Sequence, residues 1–206
     1  ISDDDIATVS IAATDAAADE AGDRGEFTVT LTNPASVDTL VDYTVSGTAL
    51  LATDFTGPGS SVTIPAGSDS ATIVVNAVVD SLVERDETVV VTLGAITGDP
   101  DISLSATASA TVTIVNDDVP TFTITNSDIS EGSNPPDPVT TATGFVVTVD
   151  LAIASDASVS FDYAVIHGST DNSDFSGSTT GTITLSDVSA NSTVALPIQV
   201  IADVVV

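Results

Sequence analysis

Residues 80–87 carry a dense group of acidic side chains between two apolar runs, residues 71–79 and 88–93, whose composition predicts β-strands. The acids are Asp80, Glu84, Asp86 and Glu87. Carboxylates this close together in one loop repel one another unless a cation lies among them, and hard divalent cations prefer carboxylate and carbonyl oxygens as ligands. The loop therefore predicts a calcium site. The alternative is a solvated acidic turn, which is what many short acidic runs form.

A second polar group follows the strand predicted at residues 111–115. It consists of Asn116, Asp117 and Asp118. In an antiparallel sandwich the loops of separate hairpins meet at one end, so acids that are far apart in sequence can converge. A calcium ion takes roughly 6 to 8 oxygen ligands, more than one short loop supplies in good geometry. Several loops must therefore contribute to the predicted site.

The overall charge restricts the partners of the chain. The formal net charge is −28, because 30 acidic residues face only two basic ones, Arg24 and Arg85. Nucleic acids and anionic membranes bind basic surfaces, so neither is an expected partner. No apolar run is long enough for membrane insertion. Cations are the natural partners of such a chain.

The predicted location is extracellular or on a bacterial cell surface. The sequence has no cysteine, no signal peptide and no initiator methionine, and it is rich in Thr, Ser, Val and Asp, as in secreted bacterial repeat proteins. We expect it to be an excerpt of a longer protein. Calcium at the millimolar levels found outside cells would supply the stiffening that disulfides give elsewhere.

Alternating apolar residues predict an all-β fold. In residues 26–32, for example, Phe27, Val29 and Leu31 share one face. The segment 14–23 is rich in Ala and Asp and is expected to form one helical turn at most. About seven strands, with turn signals every 8 to 12 residues, predict an antiparallel immunoglobulin-like β-sandwich.

The sequence also repeats. Residues 114–124 align with residues 1–11 without a gap, and later matches keep their order. We expect tandem sandwiches: residues 1–6 as the tail of a preceding repeat, 7–118 as one sandwich, and 119–206 as a second that lacks its last two strands. Such a truncation exposes a sheet edge, through which other copies of the chain are candidate partners. Alternatively, the ordered part of a longer array of neighbouring repeats simply ends here.

Several short motifs together resemble the Calx-beta family. They are Glu20 ahead of Gly25-Glu26-Phe27-Thr28-Val29, Gly47-Thr48-Ala49 before Asp54-Phe55, Ile64-Pro65-Ala66-Gly67, the acids of residues 80–87, and Asn116-Asp117-Asp118. This family includes the calcium-binding regulatory domains of sodium/calcium exchangers and many repeats of bacterial surface proteins. The resemblance covers residues 7–118 completely and residues 119–206 as a truncated copy.

The resemblance implies a set of calcium ligands at one tip of each sandwich. In the first copy they are Glu20, Asp54, Asp80, Glu84, Glu87, Asn116, Asp117 and Asp118, with the main-chain carbonyl of Leu82. In the second copy they are Glu131, Asp174 and Asp203. Val79 and Ser81 stand where calcium-rich members of the family have acids. The implied site should therefore hold fewer ions, or hold them more weakly.

Nothing in the sequence predicts an enzyme. His167 is the only histidine, and no cysteine is present, so neither a transition-metal site nor a catalytic triad is expected. Paired carboxylates can hydrolyse glycosides, but such sites need clefts with aromatic platforms. Aromatic residues make up 4% of the chain and tryptophan is absent, which argues equally against a carbohydrate-binding module.

The sequence thus favours a calcium-binding structural repeat of an extracellular or cell-surface protein, such as an adhesin, stalk or filament segment. In this reading calcium rigidifies domain tips and junctions. The alternative is a calcium-sensing regulatory module that changes its interdomain angle on binding. The two differ in affinity, since a stiffener binds at extracellular calcium levels and a sensor at micromolar levels.

Overall fold

The computed structural model describes residues 6–125, 145–166 and 175–200. β-strands are the regular elements throughout these residues, so the all-β prediction is confirmed. The chain divides into two compact units, the first formed by Ile1–Asp80 with Arg85–Asp117 and the second by Ser81–Glu84 with Asp118–Val206. None of the described residues forms a helix long and apolar enough to cross a lipid bilayer. The repeat boundaries expected from the sequence stay a prediction.

The first part of the chain contains the strands β1 to β11. They are β1 (Ala7–Asp15), β2 (Ala17–Asp19), β3 (Arg24–Leu31), β4 (Thr39–Gly47), β5 (Phe55–Thr56), β6 (Ser61–Ile64), β7 (Ser70–Ala77), β8 (Leu82–Val83), β9 (Glu87–Thr97), β10 (Ile102–Leu104) and β11 (Ser109–Val115). The first unit stacks two five-stranded sheets, ordered β10-β1-β3-β7-β5 and β2-β11-β9-β4-β6.

The core of the first unit lies between these sheets and follows from the alternation in the sequence. Along β3, Phe27, Val29 and Leu31 point inward as predicted. They meet the inward residues of the other sheet, among them Val91 and Val112, which are also fully buried. β-Branched and aromatic residues suit this pleated, two-layer packing. The unit holds more than the expected seven strands because β2, β5 and β10 are only two or three residues long, too short for alternation to reveal.

Residues 14–19 are extended and residues 20–23 form a turn, so the single helical turn that the sequence analysis allowed at most does not form. β1 continues to Asp15 after a register shift between Ala13 and Asp15, and β2 then joins the opposite sheet beside β11. Ala18 is buried there while Ala17 is exposed, so the small side chains still alternate. Tertiary pairing overrides the weak local preference of this alanine-rich stretch.

The second unit contains the strands β12 to β19, together with β8. They are β12 (Phe122–Thr125), β13 (Val146–Val149), β14 (Ala152–Ile153), β15 (Val159–Ala164), β16 (Phe175–Gly177), β17 (Thr180–Leu185), β18 (Ser192–Ala195) and β19 (Ile198–Val200). Its sheets are β12-β13-β18, β15-β17, β16-β19 and the parallel pair β14-β8. Val83 of β8 is buried in the core of this unit with Val149, Ile153 and Leu185.

Candidate metal centre

Three chain segments reach the same end of one sheet of the first unit. β2 runs parallel to β11 with Asp19 beside Val115, so the chain leaves both strands at that end. β9 runs antiparallel to β11 and begins there, with Glu87 opposite Ile114. The residues that directly follow β2 and β11 are therefore neighbours, although almost the whole unit separates them in sequence.

Glu20, Asp117 and Asp118 come together at this end. Their carboxylate oxygens lie within 4.8 Å of one another. Two ligands of one calcium ion stand at most roughly 5 Å apart, given bonds of about 2.3–2.6 Å. Among the described residues, this is the group of three or more potential ligands that meets such a spacing. The structure thus places together three of the residues implied by the family resemblance.

The group is partly withdrawn from water. Glu20 is only 5% exposed, Asp118 is half-buried and Asp117 is exposed. One oxygen of Glu20 and one of Asp118, Oε2 and Oδ2, are shielded from solvent. Burial of carboxylates is costly unless another charge or hydrogen bonds compensate it. The whole chain offers only two basic side chains for that purpose.

A tight turn between β2 and β3 fixes the position of Glu20. The carboxylate Oδ1 of Asp19 accepts the main-chain N–H of Asp23 at 2.9 Å, and the carbonyl of Asp19 accepts the N–H of Gly22 at 3.3 Å. Gly22 has a φ of +115°, a conformation that residues with a side chain rarely adopt. Sequence reasoning missed Asp19 as a positioning residue. Its signal is an Asp followed three residues later by Gly, as in type I turns.

The acids of residues 80–87 lie outside the three-carboxylate group. Asp80 is exposed, Glu84 is half-buried, and Glu87 is half-buried with its Oε2 shielded from solvent. Asp86, which is not among the ligands that the family resemblance implies, accepts the main-chain N–H of Asn116 through Oδ1 at 3.4 Å. That contact joins the acidic loop to the segment that follows β11.

Leu82 and Asp54 occupy structural positions of their own. Leu82 belongs to β8 and pairs with Ala152. Asp54 is half-buried, and its Oδ2 accepts the N–H of Leu50 at 2.5 Å while its carbonyl accepts the N–H of Val78 at 2.9 Å. Asp54 thus stabilises the turn before β5. The proposed roles of both residues as calcium ligands stay predictions.

The second implied site falls outside the described residues. Glu131, Asp174 and Asp203 all lie in the segments beyond those ranges, as does His167. The assignment of these three acids as ligands stays a prediction.

Comparison with known proteins identifies the family. The family model of the Calx-beta domain matches residues 2–118. Among solved structures, the apo form of the Calx CBD1 domain is 24% identical, with a TM-score of 0.47, and the alignment covers 55% of this chain and 100% of that one. CBD12 from CALX1.2 is 20% identical, with a TM-score of 0.45 and coverage of 93% and 74%.

A third structure, the calcium binding domain CBD12 of CALX1.1, is 22% identical, with a TM-score of 0.45 and coverage of 92% and 76%. Among curated proteins, none matches this sequence. The family model spans more than half of the 206 residues. The chain therefore belongs to the Calx-beta family.

Proposed function

We propose that this chain is a calcium-binding structural repeat of an extracellular or cell-surface protein, of the adhesin, stalk or filament kind, and not an enzyme. The observation that carries the proposal is the convergence of Glu20, Asp117 and Asp118 to within 4.8 Å at one end of a sheet. Family membership supports it, because the Calx-beta family includes calcium-binding domains.

The residues at this end fit a calcium ion. All the donors are oxygens, and the ion accepts the flexible, irregular arrangement that side chains from several loops produce. Magnesium demands near-ideal octahedral geometry with shorter bonds and gives up its water reluctantly. Glu20, Asp117 and Asp118 would hold the ion, and Glu84 and Glu87, which the family resemblance also implies as ligands, are candidates to complete its shell. Bound calcium would supply positive charge that offsets the mutual repulsion of these carboxylates.

The position of the site explains why the effect would be structural. Glu20 follows β2 and Asp117 follows β11, while the apolar core lies between the sheets and is complete without the acids. An ion shared by these residues would join two strand ends and leave the core packing unchanged. A chain without cysteine gains a cross-link in this way, which suits an extracellular location.

The test is thermal unfolding of the full chain in calcium, in magnesium and in chelator, at constant ionic strength. We expect a rise in the unfolding midpoint that is selective for calcium, because a ligand that binds only the folded state must stabilise it. Asp117→Asn/Asp118→Asn should abolish the rise. The matched control is Asp42→Asn/Asp162→Asn, which removes the same charge from exposed strand positions outside the group.

The affinity for calcium distinguishes a structural repeat that calcium rigidifies from a calcium-sensing regulatory module. Calorimetric titration should give a dissociation constant near extracellular calcium levels, with little change in the hydrodynamic radius. Micromolar affinity with a change of shape would instead favour the calcium-sensing regulatory module. An equal rise in the unfolding midpoint with magnesium or with any other salt would contradict selective calcium binding. The acids would then form a solvated surface without a bound ion. Antibody labelling of intact and of permeabilised source cells tests the proposed location.

A further inference from the structure

The second unit contains an asparagine whose sequence context suits the attachment of a sugar. Of the seven asparagines in the chain, Asn191 is the one followed two residues later by a residue with a hydroxyl group, Thr193, and the residue between them is not proline. This triplet is the acceptor pattern of N-glycosylation, which modifies surface loops of secreted proteins. The pattern is short, so its value depends on where the structure places these residues.

Asn191 lies at the tip of an exposed turn. β17 ends at Leu185 and β18 begins at Ser192. The main-chain N–H of Ser192 donates to the carbonyl of Ser189 at 3.2 Å, which closes the turn directly before β18. Ser189, Ala190 and Asn191 are all exposed. The side chain of Asn191 is therefore accessible to an enzyme in the folded protein.

Thr193 is accessible as well. Half-buried and exposed residues alternate along β18, and Thr193 lies on the exposed face with Ala195. Its backbone is fixed by the pairing of β18 with β13, in which Thr193 lies opposite Thr148. The two residues that the acceptor pattern requires are thus exposed together at the junction of a turn and a strand.

The first unit contains the corresponding connection, between β6 and β7. Asp162 of β15 lies opposite Thr182 of β17, as Asp42 of β4 lies opposite Ser61 of β6. On the other side of the connection, β18 pairs with β13 as β7 pairs with β3. The two connections can therefore be compared directly.

This comparison shows that the turn itself does not require asparagine. The N–H of Ser68 donates to the carbonyl of Pro65 at 2.9 Å, which closes a turn of the same kind. Its third residue, Gly67, has a φ of +78°, and Asn191 has a φ of +60° at the same position of its turn. Glycine and asparagine both accept a positive φ, so the shape of the turn leaves the choice between them open. Two residues after Gly67 stands Asp69, so the first unit has the turn without the acceptor triplet.

We propose that Asn191, presented by this turn, is an acceptor for N-glycosylation by a glycosyltransferase that uses a phosphate-activated sugar. A bond forms between Nδ2 of Asn191 and the anomeric carbon of the sugar. The bond between that carbon and the phosphate oxygen of the donor breaks, and Nδ2 releases a proton. The proposal goes beyond the structural repeat proposed above: it uses only the extracellular location and does not depend on calcium.

The test uses the purified, folded full chain in two arms, which distinguish the two sources of activated sugar. One arm supplies uridine diphosphate glucose with a soluble N-glycosyltransferase, and the other supplies a lipid-linked oligosaccharide with a membrane-bound one. We expect one glycan per chain in at least one arm, located on Asn191 by peptide mapping. Asn191→Gly keeps the turn, as Gly67 shows, and should lose the glycan. Thr193→Val should also lose it, whereas Thr193→Ser, which keeps the hydroxyl, and Asn76→Gln, which changes an exposed asparagine outside the triplet, should retain it.

The first unit allows a gain-of-function variant. Gly67→Asn/Asp69→Thr writes the same Asn-Ser-Thr triplet into the corresponding turn. No atom lies within 4 Å of a new Cβ at Gly67, and Asp69 is exposed, so both changes fit the space available. We expect a second glycan at residue 67 in addition to the one on Asn191. Absence of the second glycan would overturn the role assigned to the turn.

Two results would overturn the proposal as a whole. One is an unmodified wild-type chain in both arms under conditions in which an acceptor protein with a known site is modified. The other is a glycan that persists in Asn191→Gly or in Thr193→Val. The calcium response of the unfolding midpoint, measured on the unmodified protein, stays a separate test, so failure of glycosylation and failure of calcium binding are distinguishable.

Discussion

Neutralising Glu20 should stabilise the calcium-free protein and remove its response to calcium. Glu20 is buried, and its carboxylate oxygen lies within 4.8 Å of carboxylate oxygens of Asp117 and Asp118. The variant Glu20→Gln keeps the shape of the side chain and removes its charge. Without calcium it therefore relieves two repulsions, and with calcium it removes one anionic ligand.

The magnitude follows from Coulomb's law. Two unit charges 4.8 Å apart repel by about 0.9 kcal/mol in water, and by about 3.5 kcal/mol at an effective dielectric constant of roughly 20. Asp117 is exposed, so the lower end applies to that pair, and the two pairs together should contribute about 2 kcal/mol. For a chain of this length that corresponds to a rise of about 4–8 °C in the unfolding midpoint.

Calcium should reverse the order of the two proteins. At a free concentration 100 times its dissociation constant, calcium stabilises the wild type by about 2.7 kcal/mol, and it should add little to the variant. Scanning calorimetry in chelator and in calcium measures both effects. Asp42→Asn, an equal loss of charge at an exposed position of β4, should keep the calcium response. A variant that is less stable than wild type in chelator and still responds fully to calcium would refute the reasoning.

Three further substitutions test the packing and electrostatics of the two units. Gly25→Ala places a Cβ atom 2.4 Å from Cγ1 of Val112, so overpacking should cost about 1–3 kcal/mol in urea unfolding. Val83→Ala opens a void in the core of the second unit and should cost roughly 1–3 kcal/mol by the same assay. Thr121→Val removes the hydroxyl hydrogen bond that chiefly lowers the pKa of Asp150, so an NMR titration should show that pKa returning toward its ordinary value.

The two packing variants have matched controls, and the pKa shift of Asp150 predicts the direction of a pH effect. Gly59→Ala, with only Oη of Tyr43 at 3.9 Å from the new Cβ, should unfold like wild type, as should Val79→Ala at a 70% exposed position. Because its folded-state pKa is lowered, Asp150 stabilises the protein above about pH 4 and loses that contribution as the pH falls through the folded pKa. Unchanged unfolding of Gly25→Ala or Val83→Ala, or an unchanged pKa in Thr121→Val, would contradict the packing or hydrogen bonding described.

Much of the fold could be predicted because alternation encodes which face of a strand is buried. Phe27, Val29 and Leu31 illustrate this, since a period of two suffices to place them in the core. The strand β2 could not be predicted in that way. Its residues are small and weakly strand-forming, and their extended state depends on β11, which is distant in sequence. The register of a strand depends on which strand lies beside it in the fold, and local composition does not determine that.

The same limit applies to the candidate site. The family resemblance implied Glu20, Asp117 and Asp118 as ligands, but their convergence depends on the parallel pairing of β2 with β11. Val83 illustrates the limit from the other side. It lies among the acids of residues 80–87, which the sequence predicts as a loop, whereas its side chain is buried in the core of the second unit. Residues 80–87 thus contribute a side chain to the core of the second unit as well as a group of acidic side chains.

The turn that holds Glu20 should control calcium affinity without supplying a ligand. Gly22→Ala forces a side chain into a φ of +115° with no atom within 4 Å of the new Cβ, so its effect is backbone strain, about 1–3 kcal/mol, and not a clash. Relaxation of that strain moves Glu20 and should weaken calcium binding about tenfold for each 1.4 kcal/mol lost. Gly67→Ala is the matched control, since Gly67 also has a positive φ, +78°, and open space around it, in the turn between β6 and β7. Both variants should lose stability in chelator, but only Gly22→Ala should lose affinity in a calorimetric titration. Equal affinities in the two would show that the position of Glu20 does not govern the site.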